Sequence, residues 1–405
     1  MERFDARIRR ERLLFDGSMG ALLGSMGYSV ECPELLNVEH PEVIEAVHAR
    51  YVQAGAQVTI CNSLGATRLK LRRMGLSDRA AELTRAAVEN ARRGVDGQAY
   101  VALDVGSTGD FLAPLGTLTV DELIANYLEQ ARAGAEAGAD LILMETQIDI
   151  GECRAACLAA RETGLPVAAS FTYNPNGRTL TGGTPECAAL ILAAVGAQAI
   201  GVNCSSGPAE MLPILEATRR ISPLPMLVEP NAGLPETDAA GRAVYPYSAE
   251  DMFPYMRALV EAGASAIGGC CGTTPDYIAR FAPLVKGLAA PAPIAPEAAY
   301  ICSARKYVEI GEARETLAGI DDIEDLYDLD PDEVPLLDLS GLSPQEAAAL
   351  AQEAQASTSA PLCFRADDGE ALDAALRSYT GVAGVDAAGC EAVAARYGAI
   401  SLDAE

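Results

Sequence analysis

The sequence predicts an α/β chain: a (β/α)8 barrel over residues 1–286, a Pro/Ala linker over 287–296 and a smaller α/β half-barrel-like unit over 297–405. Three observations predict it. The first 285 residues repeat one rhythm, a short aliphatic or β-branched run, a polar or glycine turn and an Ala/Leu-rich amphipathic stretch, which has the size and pattern of an eightfold strand–helix barrel. Closely spaced prolines in Lys286–Pro296 disfavour helix and sheet, so the rhythm stops there. It then resumes for too few residues to close a second barrel.

Taken in order, the apolar runs are Leu13–Phe15, Val58–Cys61, Ala99–Leu103, Leu141–Met144, Val167–Phe171, Ala199–Val202, Met226–Val228 and Ala264–Ile267. Between them, segments such as Pro41–Ala54, Val120–Ala137, Pro185–Val195, Ala209–Arg220 and Ala249–Ala262 carry apolar residues at helical spacing. Each run closes on a polar residue: Asp16, Asn62, Asp104, Glu145, Thr172, Cys204, Asn231 and the pair Cys270/Cys271. In a TIM barrel the carboxyl ends of all strands open on one mouth, so these residues are expected to converge there. Singly, Asp104 or Asn62 could cap a helix, and Glu145 could be a satisfied buried acid. Beyond the linker, four strands, Val334–Leu339, Leu362–Arg365, Val382–Val385 and Ala399–Leu402, are expected to alternate with helices Pro344–Ala356, Glu370–Ser378 and Glu391–Tyr397.

Composition limits the function. A net charge of −27 argues against nucleic acid and against an anionic membrane as partners. The excess is uneven, with 22 acidic against 6 basic residues from 301 to 405. No charge-free apolar run approaches the roughly 18 residues of a membrane span, and Met1–Arg12 lacks the apolar segment of a secretory signal. Eleven cysteines without short disulfide-type spacing fit a reducing compartment, and a cytoplasmic location is expected.

Three of those cysteines carry most of the chemistry. Cys204 lies in Gly201–Pro208 (GVNCSSGP), and Cys270 and Cys271 lie in Gly268–Pro275 (GGCCGTTP), two glycine-framed turns that each follow an apolar run. Adjacent residues within a strand point to opposite faces, so Cys270 and Cys271 can share an ion only where the strand has ended. Thr274, Pro275 and Asp276 read as the cap and first turn of the next helix. Buried core thiols are the plain alternative. Three thiols from two strand ends suit Zn²⁺, with the fourth tetrahedral position open to water or substrate.

The motifs Asp16–Gly20 (DGSMG), Leu64–Lys70 (LGATRLK), Asp104–Gly109 (DVGSTG), GVNCSSGP, Val228–Gly233 (VEPNAG) and GGCCGTTP together resemble the homocysteine methyltransferase domain of cobalamin-dependent methionine synthases, over residues 10–285. The resemblance implies a zinc barrel that methylates the thiol of homocysteine, with Cys204, Cys270 and Cys271 as ligands. It further implies that Asp16 and Glu145 meet the substrate ammonium and that Asn231 lines the pocket. Ala21, Cys61, Ser63 and Ser107 depart from the usual pattern and bear on the choice of acceptor thiol. Pro335–Gly341 (PLLDLSG), Pro361–Asp367 (PLCFRAD) and Ala371–Gly381 (ALDAALRSYTG) resemble parts of a pterin-binding barrel, but half a barrel is not expected to enclose a pterin.

Zinc coordination would remove the proton of a thiol whose ordinary pKa is about 8.5, leaving a nucleophile that needs no general base. Accordingly no histidine ends a strand; His40 and His48 read as surface or helix-packing residues. The expected donor is methylcobalamin on a separate corrinoid protein, for which the acidic segment 297–405 would serve as a docking or packing module dispensable to the barrel. The alternatives are a small onium donor such as betaine or S-methylmethionine, weakly disfavoured for betaine by the absence of Trp, and a non-catalytic zinc-binding scaffold.

Overall fold

The computed structural model describes residues 1–204, 207–237 and 243–403. Eight parallel strands, β1 (Leu13–Leu14), β2 (Val58–Ile60), β3 (Tyr100–Gly106), β4 (Leu141–Gln147), β5 (Val167–Phe171), β6 (Ala199–Asn203), β7 (Met226–Glu229) and β8 (Ala266–Ile267), pair in the order β1-β8-β7-β6-β5-β4-β3-β2. A parallel bridge between Phe15 and Val58 joins the two ends, so the sheet closes as the eightfold rhythm predicts. Helices α1 (Pro41–Gln53), α2 (Ala80–Val95), α3 (Val120–Glu136), α4 (Ile150–Ala160), α5 (Pro185–Ala194), α6 (Pro208–Ile221), α7 (Ala249–Glu261) and α8 (Pro275–Phe281) form the outer layer. Their starts follow the chemistry of the sequence: Thr119 and Ser248 make capping boxes with Glu122 and Asp251, and Pro185, Pro208 and Pro275 stand at first helical positions.

The barrel interior is a separate apolar cluster. It is built from inward residues of the strands, among them Leu13, Phe15, Val58, Tyr100, Leu141, Leu143 and Leu227. Phe4 and Ile8, from a short helix over Phe4–Arg10 that the sequence reading did not resolve, close its floor. The first residues of the expected linker lie against the chain start: Ala289 bridges Glu11, and Ala290 N donates to Arg10 O at 3.0 Å.

The C-terminal unit holds five parallel strands rather than the four expected: β11 (Leu317–Ile320), β12 (Val334–Asp338), β13 (Cys363–Arg365), β14 (Gly384–Asp386) and β15 (Ile400–Ser401), preceded by an antiparallel hairpin, β9 (Tyr300–Cys302) and β10 (Tyr307–Glu309). The additional strand β11 is a four-residue edge with a glycine and no buried face, so it carries no alternation to detect. Helices α9 (Pro344–Ser357), α10 (Gly369–Ser378) and α11 (Glu391–Tyr397) cover one face.

This unit packs directly on the barrel through α4. All eleven residues of α4 are buried, because the barrel flanks the helix on one side and the small unit on the other. Arg154, 3% exposed, donates to Leu376 O at 2.7 Å and Arg377 O at 3.0 Å at the C-terminus of α10, and its guanidinium lies 5.6 Å from the centroid of the Tyr397 ring. A cation placed this deep only makes sense against those carbonyls. Among the described residues no helix is long and apolar enough to cross a membrane.

Candidate metal and substrate site at the barrel mouth

The period of two along a strand decides which side chains enter the barrel. Counting up from the packed interior, Tyr100, Ala102 and Asp104 share one face of β3, Leu141, Leu143 and Glu145 one face of β4, and Leu227 and Glu229 one face of β7. Asn203 stands in the corresponding place on β6, four residues beyond Ala199 and two beyond Gly201. The apolar interior thus gives way, at its top, to a layer of three carboxyl groups and an amide.

The thiols sit on that layer. The sulfurs of Cys204, Cys270 and Cys271 all lie within 4.8 Å of one another, with Cys204 and Cys271 3.9 Å apart. Cys204 reaches them because the chain turns sharply as β6 ends: its φ is +57°, a left-handed conformation that costs a non-glycine residue about 1–2 kcal/mol. Cys270 and Cys271 follow the end of β8, as their sharing of a site requires. Of the glycines around them only Gly272 (φ +83°) is needed for its backbone conformation; Gly268 and Gly269 are needed for space, since a Cβ would lie 2.8 Å from Phe15 Cβ and 2.4 Å from Thr273 Oγ1. Thr274 occupies the cap position of α8, but its hydroxyl bonds Asp276 rather than the helix backbone. Mutual S–H···S bonds, with Cys204 first, pull the Cys271 thiol below its usual range and push Cys270 above it.

Tetrahedral Zn²⁺ with Zn–S distances of about 2.3 Å would set its sulfurs about 3.8 Å apart, close to the spacing of Cys204 and Cys271. The residues present fit the ion.

The carboxyls are less satisfied. Asp16 accepts from Ile60 N at 2.9 Å through one oxygen, while Oδ1 has no hydrogen-bond partner; Asp104 Oδ1 and both oxygens of Glu229 are likewise buried without a donor. Burial pushes all three well above the usual carboxylate range, and the negative charge of Glu145 adds to the shifts. Burial also raises Glu145, to about 7, against a lowering hydrogen bond with Asp104. Unpartnered buried acceptors mark a cavity shaped for a donor or a cation.

Asn231 is 2% exposed and accepts from Cys271 N at 3.0 Å, so it braces a thiol-bearing turn. Asn62 does not join the group. Its amide donates to Pro33 O at 2.7 Å and to Asn37 Oδ1 at 3.2 Å, which consumes it in the first crossover. His48 is buried against neighbouring helices and far in sequence from every strand end. Two residues escaped the sequence reading. Glu229 stands inside VEPNAG and is identified by counting two from Leu227. Asn203 precedes Cys204 and accepts from Ser170 Oγ at 2.8 Å and Thr146 N at 3.1 Å while its amide nitrogen lies 3.3 Å from Glu145 Oε1 and 3.7 Å from Cys270 Sγ. Ser107, one of the departures from the family pattern, is held with Thr108 by Glu152, whose carboxylate accepts from Ser107 Oγ at 2.6 Å, Thr108 N at 2.7 Å and Tyr127 OH at 2.7 Å.

A family model described as homocysteine S-methyltransferase matches residues 13–285, the whole barrel with its thiols and carboxyls. The chain belongs to that family. It is 33% identical over 296 residues to the methionine synthase of Mycobacterium tuberculosis (strain ATCC 25618 / H37Rv) and 32% identical over 290 residues to that of Mycobacterium leprae (strain TN). These alignments cover 68% and 67% of this chain but 25% and 24% of the relatives, so it spans about a quarter of their length. Among solved structures, the metallated form of the homocysteine methyltransferase MmuM from Escherichia coli matches with a TM-score of 0.58 and 26% identity, covering 69% of this chain and 98% of that one; an oxidized form matches with a TM-score of 0.57, at 67% and 94%.

Proposed function

We propose that this homocysteine S-methyltransferase family member forms methionine by methylating homocysteine at a Zn²⁺ site made by Cys204, Cys270 and Cys271, with the methyl group coming from methylcobalamin on a separate corrinoid protein. The observation that carries the reading is the stacking of a three-thiol cluster on a layer of buried carboxyls, with oxygens of Asp16, Asp104 and Glu229 left without a donor. Metal and ammonium are the two cations such a pocket calls for.

The ion, when bound, supplies the positive charge that ionises the acceptor thiol near neutral pH. Asp16 and Glu145 hold the substrate ammonium, which fixes the amino acid by its charged end and directs its side chain to the thiols. Glu145 enters this role as a carboxylate once a cation arrives, because an opposite charge favours the ionised form that burial alone disfavours. Asp104, hydrogen-bonded to Glu145, holds the remaining proton of the pair. Asn231 and Asn203 fix the cysteine turns. No side chain is required as a general base, in keeping with the absence of histidine among these residues.

Similarity to methionine synthases supports the corrinoid donor. Near-complete coverage of MmuM, a homocysteine methyltransferase matched over 98% of its chain, supports a second reading, a small onium donor such as betaine or S-methylmethionine. Incubating zinc-loaded protein and homocysteine with methylcobalamin, betaine and S-methylmethionine in parallel separates them. Methionine formed with methylcobalamin alone supports the first reading; turnover with an onium donor alone replaces it, and no methionine with any donor favours a scaffold.

A further inference from the structure

The proposed chemistry places four sulfurs around one ion and asks that a single one, the substrate's, receive the methyl group. Something must hold the protein's own thiolates back. The segment Tyr245–Tyr247, on the loop between β7 and α7, lies directly over the cysteine turns. A Cβ on Gly272 would fall 2.5 Å from Tyr245 Cγ, 2.6 Å from Cδ2 and 2.7 Å from Cβ, so the ring is seated on the backbone next to Cys271, with its phenol within reach of the Cys271 sulfur.

The seat is held from several sides. Tyr247 N donates to Ala232 O at 3.0 Å, and Ala232 N donates to Cys271 O at 2.9 Å, stringing the loop to the cysteine turn. Tyr277 OH donates to Tyr247 O at 2.7 Å, and the Tyr247 ring stacks on Tyr255 with centroids 6.2 Å apart and planes at 9°. Gly233 leaves room for the crossing, since a Cβ there would meet Pro246 and Tyr247 at 3.1 Å.

We propose that Tyr245 is a positioning residue that caps the Cys271 sulfur and keeps it a ligand rather than a methyl acceptor, a role that rests on the thiol-site reading above. The O–H engages a sulfur lone pair that would otherwise attack, and the ring closes one line of approach. Asn203, whose amide lies 3.7 Å from Cys270 Sγ, covers a second thiol from within the barrel.

The test uses iodoacetamide on the full chain, zinc-loaded and metal-free, with each cysteine quantified by peptide mass spectrometry. In this reaction a thiolate sulfur attacks the methylene carbon, the C–S bond forms, and the C–I bond breaks with its electron pair leaving on iodide. Tyr245→Phe keeps the ring and removes the donor. Alkylation of Cys271 should rise about tenfold, as loss of one hydrogen bond to a charged acceptor implies, and further in Tyr245→Ala, while Cys204 and Cys270 change less than twofold; Tyr245→Phe should also release zinc faster to a chromogenic chelator. If Tyr245→Ala does not fold, Tyr245→Phe carries the test. An unchanged Cys271 rate in folded Tyr245→Phe overturns the cap. Wild-type protein that holds no zinc would overturn the thiol-site reading instead, and the metal-free comparison would still measure the cap.

Discussion

The barrel and the C-terminal sheet are built from the same strand–helix unit, yet they fill the face away from their helices in opposite ways. In the barrel that face is apolar below and polar on top, where Asp104, Glu145, Asn203 and Glu229 meet the thiols. In the small unit Val334, Leu336, Cys363 and Leu402 form an apolar sheet face, and Ile301 and Val308 of the β9–β10 hairpin and Ala313 of the following helix pack on it. The small unit covers with a hairpin and a helix the sheet face that a complete barrel covers with its opposite strands. Architecture is therefore shared, and chemistry depends on which side chains stand in the last inward position of each strand.

The largest effect that sharpens this contrast is expected at the thiols. Cys270→Ala should reduce methionine formation at least about a thousandfold and strip the metal, read by elemental analysis, whereas Cys363→Ala in the small unit should alter neither. Full zinc occupancy in Cys270→Ala would remove the basis of the contrast.

Next comes the tie between the regions. Deleting 297–405 exposes α4 and frees Arg154, so the truncated barrel should melt well below the full chain or aggregate. Arg154→Ala, which leaves the α10 carbonyls without their donor, should cost about 2 kcal/mol in urea unfolding. A truncated barrel with unchanged thermal stability would restore the separable module that the linker composition suggests.

The histidine share of acid sensitivity should fall on the barrel, because both histidines of the chain precede residue 50. Burial lowers His48 from 6.5 to about 4, and neither ring nitrogen has a hydrogen-bond partner. A depressed pKa means the unfolded chain binds the proton first, so stability is full above pH 6.5 and falls as pH drops toward 4, by up to roughly 3 kcal/mol. Urea unfolding of wild type and His48→Gln between pH 7.5 and 4 measures it; parallel curves would assign the acid loss elsewhere.

The smallest effect is the most local. Glu145→Gln should raise the KM for homocysteine about tenfold, near 1.5 kcal/mol, and leave zinc content and the melting temperature unchanged. Equal use of homocysteine and simple alkyl thiols by the wild type would detach the carboxyl layer from substrate choice.

Most of the barrel was legible because each strand is a short apolar run ended by a polar residue, a pattern that survives without tertiary information. The cysteines were legible because glycines mark their turns. Glu229 was hidden by adjacency: Asn231, two residues on, drew the reading, while Leu227 two residues before gave the parity that identifies the acid. Strand β11 and the floor helix gave no periodic signal of their own, being short and defined by what they pack against. Arg154 could not be foreseen at all, because a buried arginine on a helix is intelligible only once the carbonyls of α10, more than 200 residues away, are in place.

The floor sealed by Phe4 and Ile8 has a consequence for traffic. With that floor shut, traffic under the proposed reaction would pass through the mouth: the amino-acid acceptor would have to be seated before a bulky methyl carrier covers the opening, and its product would leave by the same way.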